Sequence, residues 1–349
     1  MPTTTPDVTV VLPVYRAARV IKRCLEAVAR QETNRSVEVI VVDDGSDDGT
    51  SKAVEQWIGV HSAEIQARCD VRLVRQPHRG PSAARNLGAH QARGSILLFT
   101  DADCEPCPDW LENMVRPFED PLVCGTKGTY ETRQRSWVAR LVQVEYQEKY
   151  ERMERFDSID FIDTYSAAFR REAFLSLRGF DESFPSASVE DQEFSFRMAD
   201  RGYRMRFVPD ARVGHHHATT LRQYARKKFR IAYYKSYLLV RHPSRAKGDT
   251  HTPPTLVFQI PLTYMLLAAV CAVPFWGPAW PLIAFVALVD VSCMVGTLSV
   301  CRRQDPALVL FVPLLLAIRS LALGAGLFLG TIRFRLMGIR SIQRQASAS

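Results

Sequence analysis

SILLFTDAD (95–103) drives a run of apolar residues into two aspartates, Asp101 and Asp103, with one alanine between them. Carboxylates that close raise one another's proton affinity and cost stability unless a cation offsets them. Tyr15, Asp43 and Asp44 follow two similar apolar runs, so three polar clusters stand where strands stop. There is no G-x-G-x-x-G after the first run and no Walker A sequence, so a glycine cradle cannot hold phosphates here. Two carboxylates hold a diphosphate only through a bridging divalent cation. Mg2+ or Mn2+, which take hard oxygen ligands from carboxylates and phosphates, fit that task.

The elements that must position these groups are legible. VTVVLPVY (8–15), VEVIVVDD (37–44), VRLVRQ (71–76) and 95–103 are short β-branched runs typical of buried strands. Between them, 18–32 places Val20, Ile21, Cys24, Leu25 and Val28 at helical spacing, and 80–94 has Pro81 at its start and Gly94 past its end. Alternation of strand and helix specifies an α/β fold with a parallel sheet covered on both faces. Ligands bind such sheets beyond the carboxyl ends of the strands, where the three clusters lie.

The 349 residues allow roughly two domains of ~150 each. Net charge is +8, with nine Lys and Arg between Arg222 and Lys247, directly before the first long apolar stretch. Basic residues placed there suit anionic lipid headgroups better than nucleic acid. MPTTTPDVTV has the form of no secretory signal. Cys104 and Cys107 form a single C-x-x-C without a second, so the eight cysteines read as reduced cytosolic thiols. Asp44 to Glu55 nearly fits a calcium loop, but the preceding VEVIVV is a strand and not the entering helix that loop requires.

VVLPVYR, VEVIVVDDGSDDGT, GPSAARNLGAHQARGSILLFTDAD and VEDQEFSFRMADRGYRMRFVPDARVGHHH, in that order, resemble glycosyltransferase family 2 over roughly residues 7–217. The resemblance implies a GT-A fold, with a nucleotide-sugar half at about 1–105 and an acceptor half at about 106–220. It implies that Pro13, Tyr15 and Asp44 hold the nucleotide base (uracil) and ribose, and that Arg85 lies near the donor phosphates. Asp103 would ligate the metal, with Asp101 beside the donor sugar and ribose and near the ion. Glu190 would contact substrate, and Asp191 would be the general base of an inverting transfer. Neighbouring residues of an extended HHH alternate sides, and the family pattern matches His215 as metal ligand, with His217 in reserve.

Two departures matter. TYSAAFRREAF (164–174) carries Ser166 where a polar amide is usual, which leaves the sugar open. Gln223-Tyr-Ala-Arg226 is followed by Lys227 and not the tryptophan of processive synthases. A processive polysaccharide synthase and a non-catalytic scaffold are therefore the alternatives to a glycosyltransferase with a lipid-linked or glycan acceptor.

From Thr255 to Gly330 only Asp290, Arg302, Arg303, Asp305 and Arg319 are charged. The composition predicts a membrane region at 251–349, after a basic amphipathic segment at 221–250 that lies on lipid headgroups. Segments 255–275 and 278–300 each suit a ~30 Å hydrocarbon core. The third, 306–330, is interrupted by Pro313, Arg319, Gly324 and Gly326, and Arg319 is the available partner for Asp290. Two or three spans follow. The positive-inside rule places the basic flanks, and the catalytic domain of this multi-pass cell-membrane protein, in the cytoplasm.

Overall fold

Four of the apolar runs become the strands of one sheet edge to centre: β1 (Val8–Val14), β2 (Val37–Asp43), β3 (Cys69–Arg75) and β4 (Ile96–Phe99). The computed structural model describes residues 5–60, 69–184, 189–243, 248–276 and 280–336. The four strands are parallel, with Val14 opposite Asp43 and Val11 opposite Phe99. The first, second and fourth are buried almost throughout, as strands covered on both faces must be. Helices α1 (Ile21–Ala29), α2 (Thr50–Val60) and α3 (Pro81–Gln91) connect them. In α1 the predicted face is the buried one: Ile21, Cys24, Leu25 and Val28.

The chain continues through β5 (Glu105–Pro106), α4 (Trp110–Val115), β6 (Val123–Glu131), α5 (Trp137–Met153), β7 (Ala167–Arg170), α6 (Arg171–Ser176), α7 (Glu190–Asp200) and β8 (Arg204–Gly214). The eight strands run in the order β3-β2-β1-β4-β7-β6-β8-β5. β7 is antiparallel to both of its neighbours, so the sheet is parallel in its first half and mixed in its second. The chain moves outward from β1 to β3 and then returns to β4 on the other side. That reversal opens a crevice between β1 and β4, the usual place for a ligand. β4 ends at Phe99, earlier than its apolar run suggested, which leaves Asp101 and Asp103 on the loop beyond the strand.

Two compact units result, Met1–Glu131 with Phe156–His216, and Thr132–Arg155 with His217–Ser349. This differs from the boundary expected at 220. Helix α5 belongs to the second unit because Val138, Leu141, Val142 and Val144 share a core there with Val300, Leu308, Val312 and Leu315.

The second unit also contains α8 (Leu221–Arg241), α9 (Pro254–Trp276), α10 (Trp280–Ser292), α11 (Val295–Gln304) and α12 (Val312–Thr331). Among the described residues, Pro254–Pro274 and Pro306–Arg335 are long and apolar enough to cross a membrane. Segment 278–300, expected as a span, is bent: α10 and α11 meet at 54°, and if that bent pair is one span the described residues hold three apolar segments long enough to cross. Pro313 does not interrupt the third segment, since it occupies the first turn of α12, where a missing N–H is harmless. The expected Asp290–Arg319 pair is also corrected. Asp290 accepts from Thr263 at 3.3 Å, while Arg319 donates to Glu145 at 2.9 Å and Gln259 at 2.6 Å. The turn at 277–279 and the basic residues Arg245, Lys247, Arg340 and Arg344 lie outside the described residues.

Candidate active site

The candidate site is built within the first unit. At the end of β2, Asp44 is buried and its carboxylate is fully engaged. One oxygen accepts from Gln76 Nε2 (2.7 Å) and the Arg79 amide (2.8 Å), the other from the Gly80 amide (2.9 Å) and His78 Nδ1 (2.9 Å). A base ring that bonds Asp44 must displace one of these, and the half-exposed His78 is the movable one. His78 stacks on Tyr15, ring centroids 4.1 Å apart, and Tyr15 is 41% exposed. Gly45 makes this approach possible, for a Cβ there would stand 2.7 Å from the His78 nitrogen, and its φ is +75°. Pro13 lies within β1 opposite Val42, where a strand residue without an N–H costs one ladder bond. His78 carried no signal in the sequence.

Arg85 is the centre of the arrangement. α3 points it inward, where it is only 4% exposed, and Nη2 donates to Asp101 at 2.7 Å while Nη1 meets Glu190 at 3.3 Å. Burial works against its charge, but Asp101, Glu190 and Asp191 outweigh that and raise its pKa. The cation suspected between the carboxylates is therefore partly protein. One guanidinium joins the D-x-D turn to the Glu190-Asp191 turn, and Glu190 stands 105 residues from Arg85 in sequence.

Asp191, in the first turn of α7, is the perturbed acid. Burial, then Glu190 and Asp163, push its pKa well above the carboxylate range, against the Gln192 amide (2.7 Å) and Arg85. Beside it stands an ion pair that the sequence reading missed. Lys127 of β6 is completely buried, paired with Asp163, and lies 5.0 Å and 5.2 Å from the rings of Tyr165 and Phe161. Burial lowers its pKa, with Asp163 and Asp191 opposing. A lone lysine in the otherwise apolar and small-residue run VCGTKGTY was the available signal.

Asp103 Oδ1 lies 3.8 Å from His215 Nδ1, and the Cys104 Sγ is 3.8 Å from each. These three ligand atoms fall within 4.8 Å of one another. The geometry thus joins Asp103 and His215 as expected, adds Cys104, and leaves Asp101 to Arg85. Cys104 is fully buried, and burial with Asp101 and Asp103 nearby raises its thiol well above its ordinary pKa, so oxygen and nitrogen are the natural donors of the set. They suit a hard or borderline divalent ion. His215 is held by stacking on Tyr130 at 4.3 Å. His217 belongs to the second unit, where its Nε2 bonds Gln143 at 2.8 Å, which removes the reserve ligand. Cys107 Sγ lies 3.7 Å from Glu131 Oε1, and both cysteines of the C-x-x-C are free thiols. Ser166 accepts from Trp110 Nε1 at 2.8 Å and is a core residue.

Two family profiles match the chain, glycosyl transferase family 2 over residues 9–178 and glycosyl transferase family group 2 over residues 96–329. The glycosyltransferase AglE of Haloferax volcanii is 30% identical over 243 residues, 66% of this chain and 73% of that protein. The pre-mycofactocin glycosyltransferase of Mycobacterium tuberculosis is 29% identical over 246 residues, 68% of this chain and 49% of that protein, so the chain spans about half the length of that relative. A solved mannosyltransferase of Pyrobaculum calidifontis, in complex with GDP-mannose and Mn2+, is similar with a TM-score of 0.56 and 26% identity, covering 95% of this chain and 88% of that one. The α/β sheet described above has the GT-A-like form of that neighbour.

Proposed function

This chain belongs to glycosyltransferase family 2, and from that premise we propose a metal-dependent, inverting transfer of a sugar from a nucleoside-diphosphate donor to a membrane-proximal acceptor hydroxyl. The observation that carries this reading is the Arg85 bridge, which holds Asp101 and Glu190 on one cation and brings Asp191 into the same field.

Asp191 takes the proton of the acceptor hydroxyl as its oxygen attacks the anomeric carbon and the bond to the diphosphate breaks. Its raised pKa makes it a stronger base than an ordinary carboxylate, and such assistance is worth ~10²–10⁴-fold. Asp103 and His215 would hold Mn2+ or Mg2+, which when bound neutralises the departing diphosphate. Tyr15 offers a stacking face for the base, and Asp44 an acceptor once His78 turns away. The Asp44 match favours UDP, whereas the Pyrobaculum neighbour holds GDP-mannose, so the donor is the first thing to measure. The apolar helices α9 and α12 and the basic α8 favour attachment to the cytoplasmic face of the cell membrane, where nucleotide sugars are supplied, and a lipid-linked acceptor.

The test is a donor screen on the full chain with extracted membrane lipid as acceptor, reading nucleotide release with Mn2+ or Mg2+. One donor should be consumed only with the cation present, and Asp103→Asn should abolish turnover and weaken donor binding. Undiminished turnover of Asp103→Asn in EDTA would remove metal dependence from the account.

A further inference from the structure

With its flanking turns α12 forms a 30-residue apolar stretch, Pro306–Arg335, long enough to cross a bilayer. Its neighbours within the second unit argue otherwise. Its first half packs on α5, where Leu315 and Leu316 join the core of Val138 and Leu141 and Arg319 meets Glu145. Its second half runs beside α8, and in the same direction. Tyr224 and Arg319 meet at Glu145, Gly326 lies on Phe229 and Ala232, Gly330 on Tyr233 and Ser236, and Phe334 packs on Tyr233 and Tyr237.

The fit along this seam is close. A Cβ at Gly326 would stand 2.9 Å from the Ala232 Cβ, and one at Gly330 would overlap Ser236 Oγ. Small residues four apart on each helix let the two backbones approach. A helix so joined cannot cross while its partner stays in water. If α12 crossed, the exposed Arg226 and Arg230 of α8 would be carried toward the middle of the apolar stretch, where charge is rarely tolerated.

The outward surfaces complete the picture. On α12, Leu314 and Phe328 are exposed on the side away from Leu315, Arg319, Gly326 and Gly330. On α8, Arg226 and Arg230 are exposed on the side away from Tyr224, Ala232 and Ser236. One helix turns apolar side chains outward, the other cations. We propose that α8 and α12 form a two-helix raft in the plane of an anionic phospholipid surface, α12 sunk to the acyl boundary and α8 presenting its cations to lipid phosphates, with neither helix crossing. This deepens the membrane attachment proposed above and rests on it. Apolar area and electrostatic attraction to anionic lipid act together in such binding.

The experiment uses the full chain in cells. Single cysteines replace Arg241 and Arg335, at the parallel ends of the two helices, with the native cysteines substituted, and an impermeant maleimide is added from outside. Both sites should be modified only after permeabilisation. Modification of Arg335→Cys in intact cells, with Arg241→Cys protected, would overturn the raft. A chain recovered wholly in the soluble fraction would instead overturn the membrane attachment itself, and the raft with it. Should the cysteine-substituted chain fold poorly, a green fluorescent protein fused to the C-terminus of the native chain replaces it: fluorescence supports the raft and a dark, full-length fusion contradicts it. The lipid is identified by hydrogen exchange of 221–241 in nanodiscs. Exchange should slow at least several-fold when phosphatidylglycerol is added to phosphatidylcholine, and equal rates would overturn the headgroup contact.

Discussion

Asp191 in the first unit and Glu145 in the second are both carboxylates drawn partly or wholly out of water, and their surroundings drive them in opposite directions. Glu145 is taken out of water but receives Lys228 at 3.0 Å, Arg319 at 2.9 Å and the Tyr224 hydroxyl at 2.9 Å. Burial would raise its pKa, yet the cations win and lower it to about 2. At Asp191 desolvation is joined by the charges of Glu190 and Asp163, and Arg85 is too committed to offset them. Burial alone therefore says little about role. The sign of the neighbours separates a carboxylate that fastens helices together from one held ready to accept a proton.

The largest effect expected from breaking this contrast is structural. Glu145→Gln leaves the buried Arg319 and the partly buried Lys228 short of their partner and should destabilise the second unit by about 3–5 kcal/mol, the usual result of removing one member of a buried pair. Thermal unfolding of the solubilised chain would measure it, and an unchanged transition would contradict the network. The pH dependence has a definite sign. Because its folded pKa lies below the ordinary value of 4.5, the stabilisation from Glu145 is full above that value and fades as pH falls towards about 2.

A smaller effect sharpens the other side. Glu190→Gln removes the like charge beside Asp191 and frees part of Arg85 to face it. The acid limb of kcat/KM, set by protonation of the base, should move to lower pH. A limb that stays in place or moves up would show that Glu190 does not tune Asp191.

How much of this was legible in the sequence follows from where the partners lie. Tyr15, Asp44, Asp101 and Asp103 follow the ends of strands, and a β-branched run that halts before a polar residue announces that position without any tertiary information. The role of Arg85 was not legible, since its second partner, Glu190, is 105 residues away and only the fold joins them. Lys127 with Asp163, and His78 on Tyr15, are pairings of the same long-range kind. The membrane region shows the limit most plainly. Composition marked 255–330 as apolar, but Arg319 finds its partner on α5 and not at Asp290. The sequence alone likewise could not show that the last apolar helix lies beside the most basic one. Two exposed arginines, Arg226 and Arg230, at the bilayer centre would cost roughly 5–7 kcal/mol on insertion scales.

The central claim is that Asp191 is the base and not a binding or structural residue, and Asp191→Asn tests it most directly. Donor affinity, measured by calorimetry in the presence of Mn2+, should stay close to that of the unaltered chain while transfer falls by at least ~10²-fold. Because a raised pKa means that the ionised form is disfavoured in the fold, the neutral amide should also melt no lower than aspartate at neutral pH. Loss of donor binding together with turnover, or a lowered melting temperature, would contradict the account and return Asp191 to holding the donor or the fold.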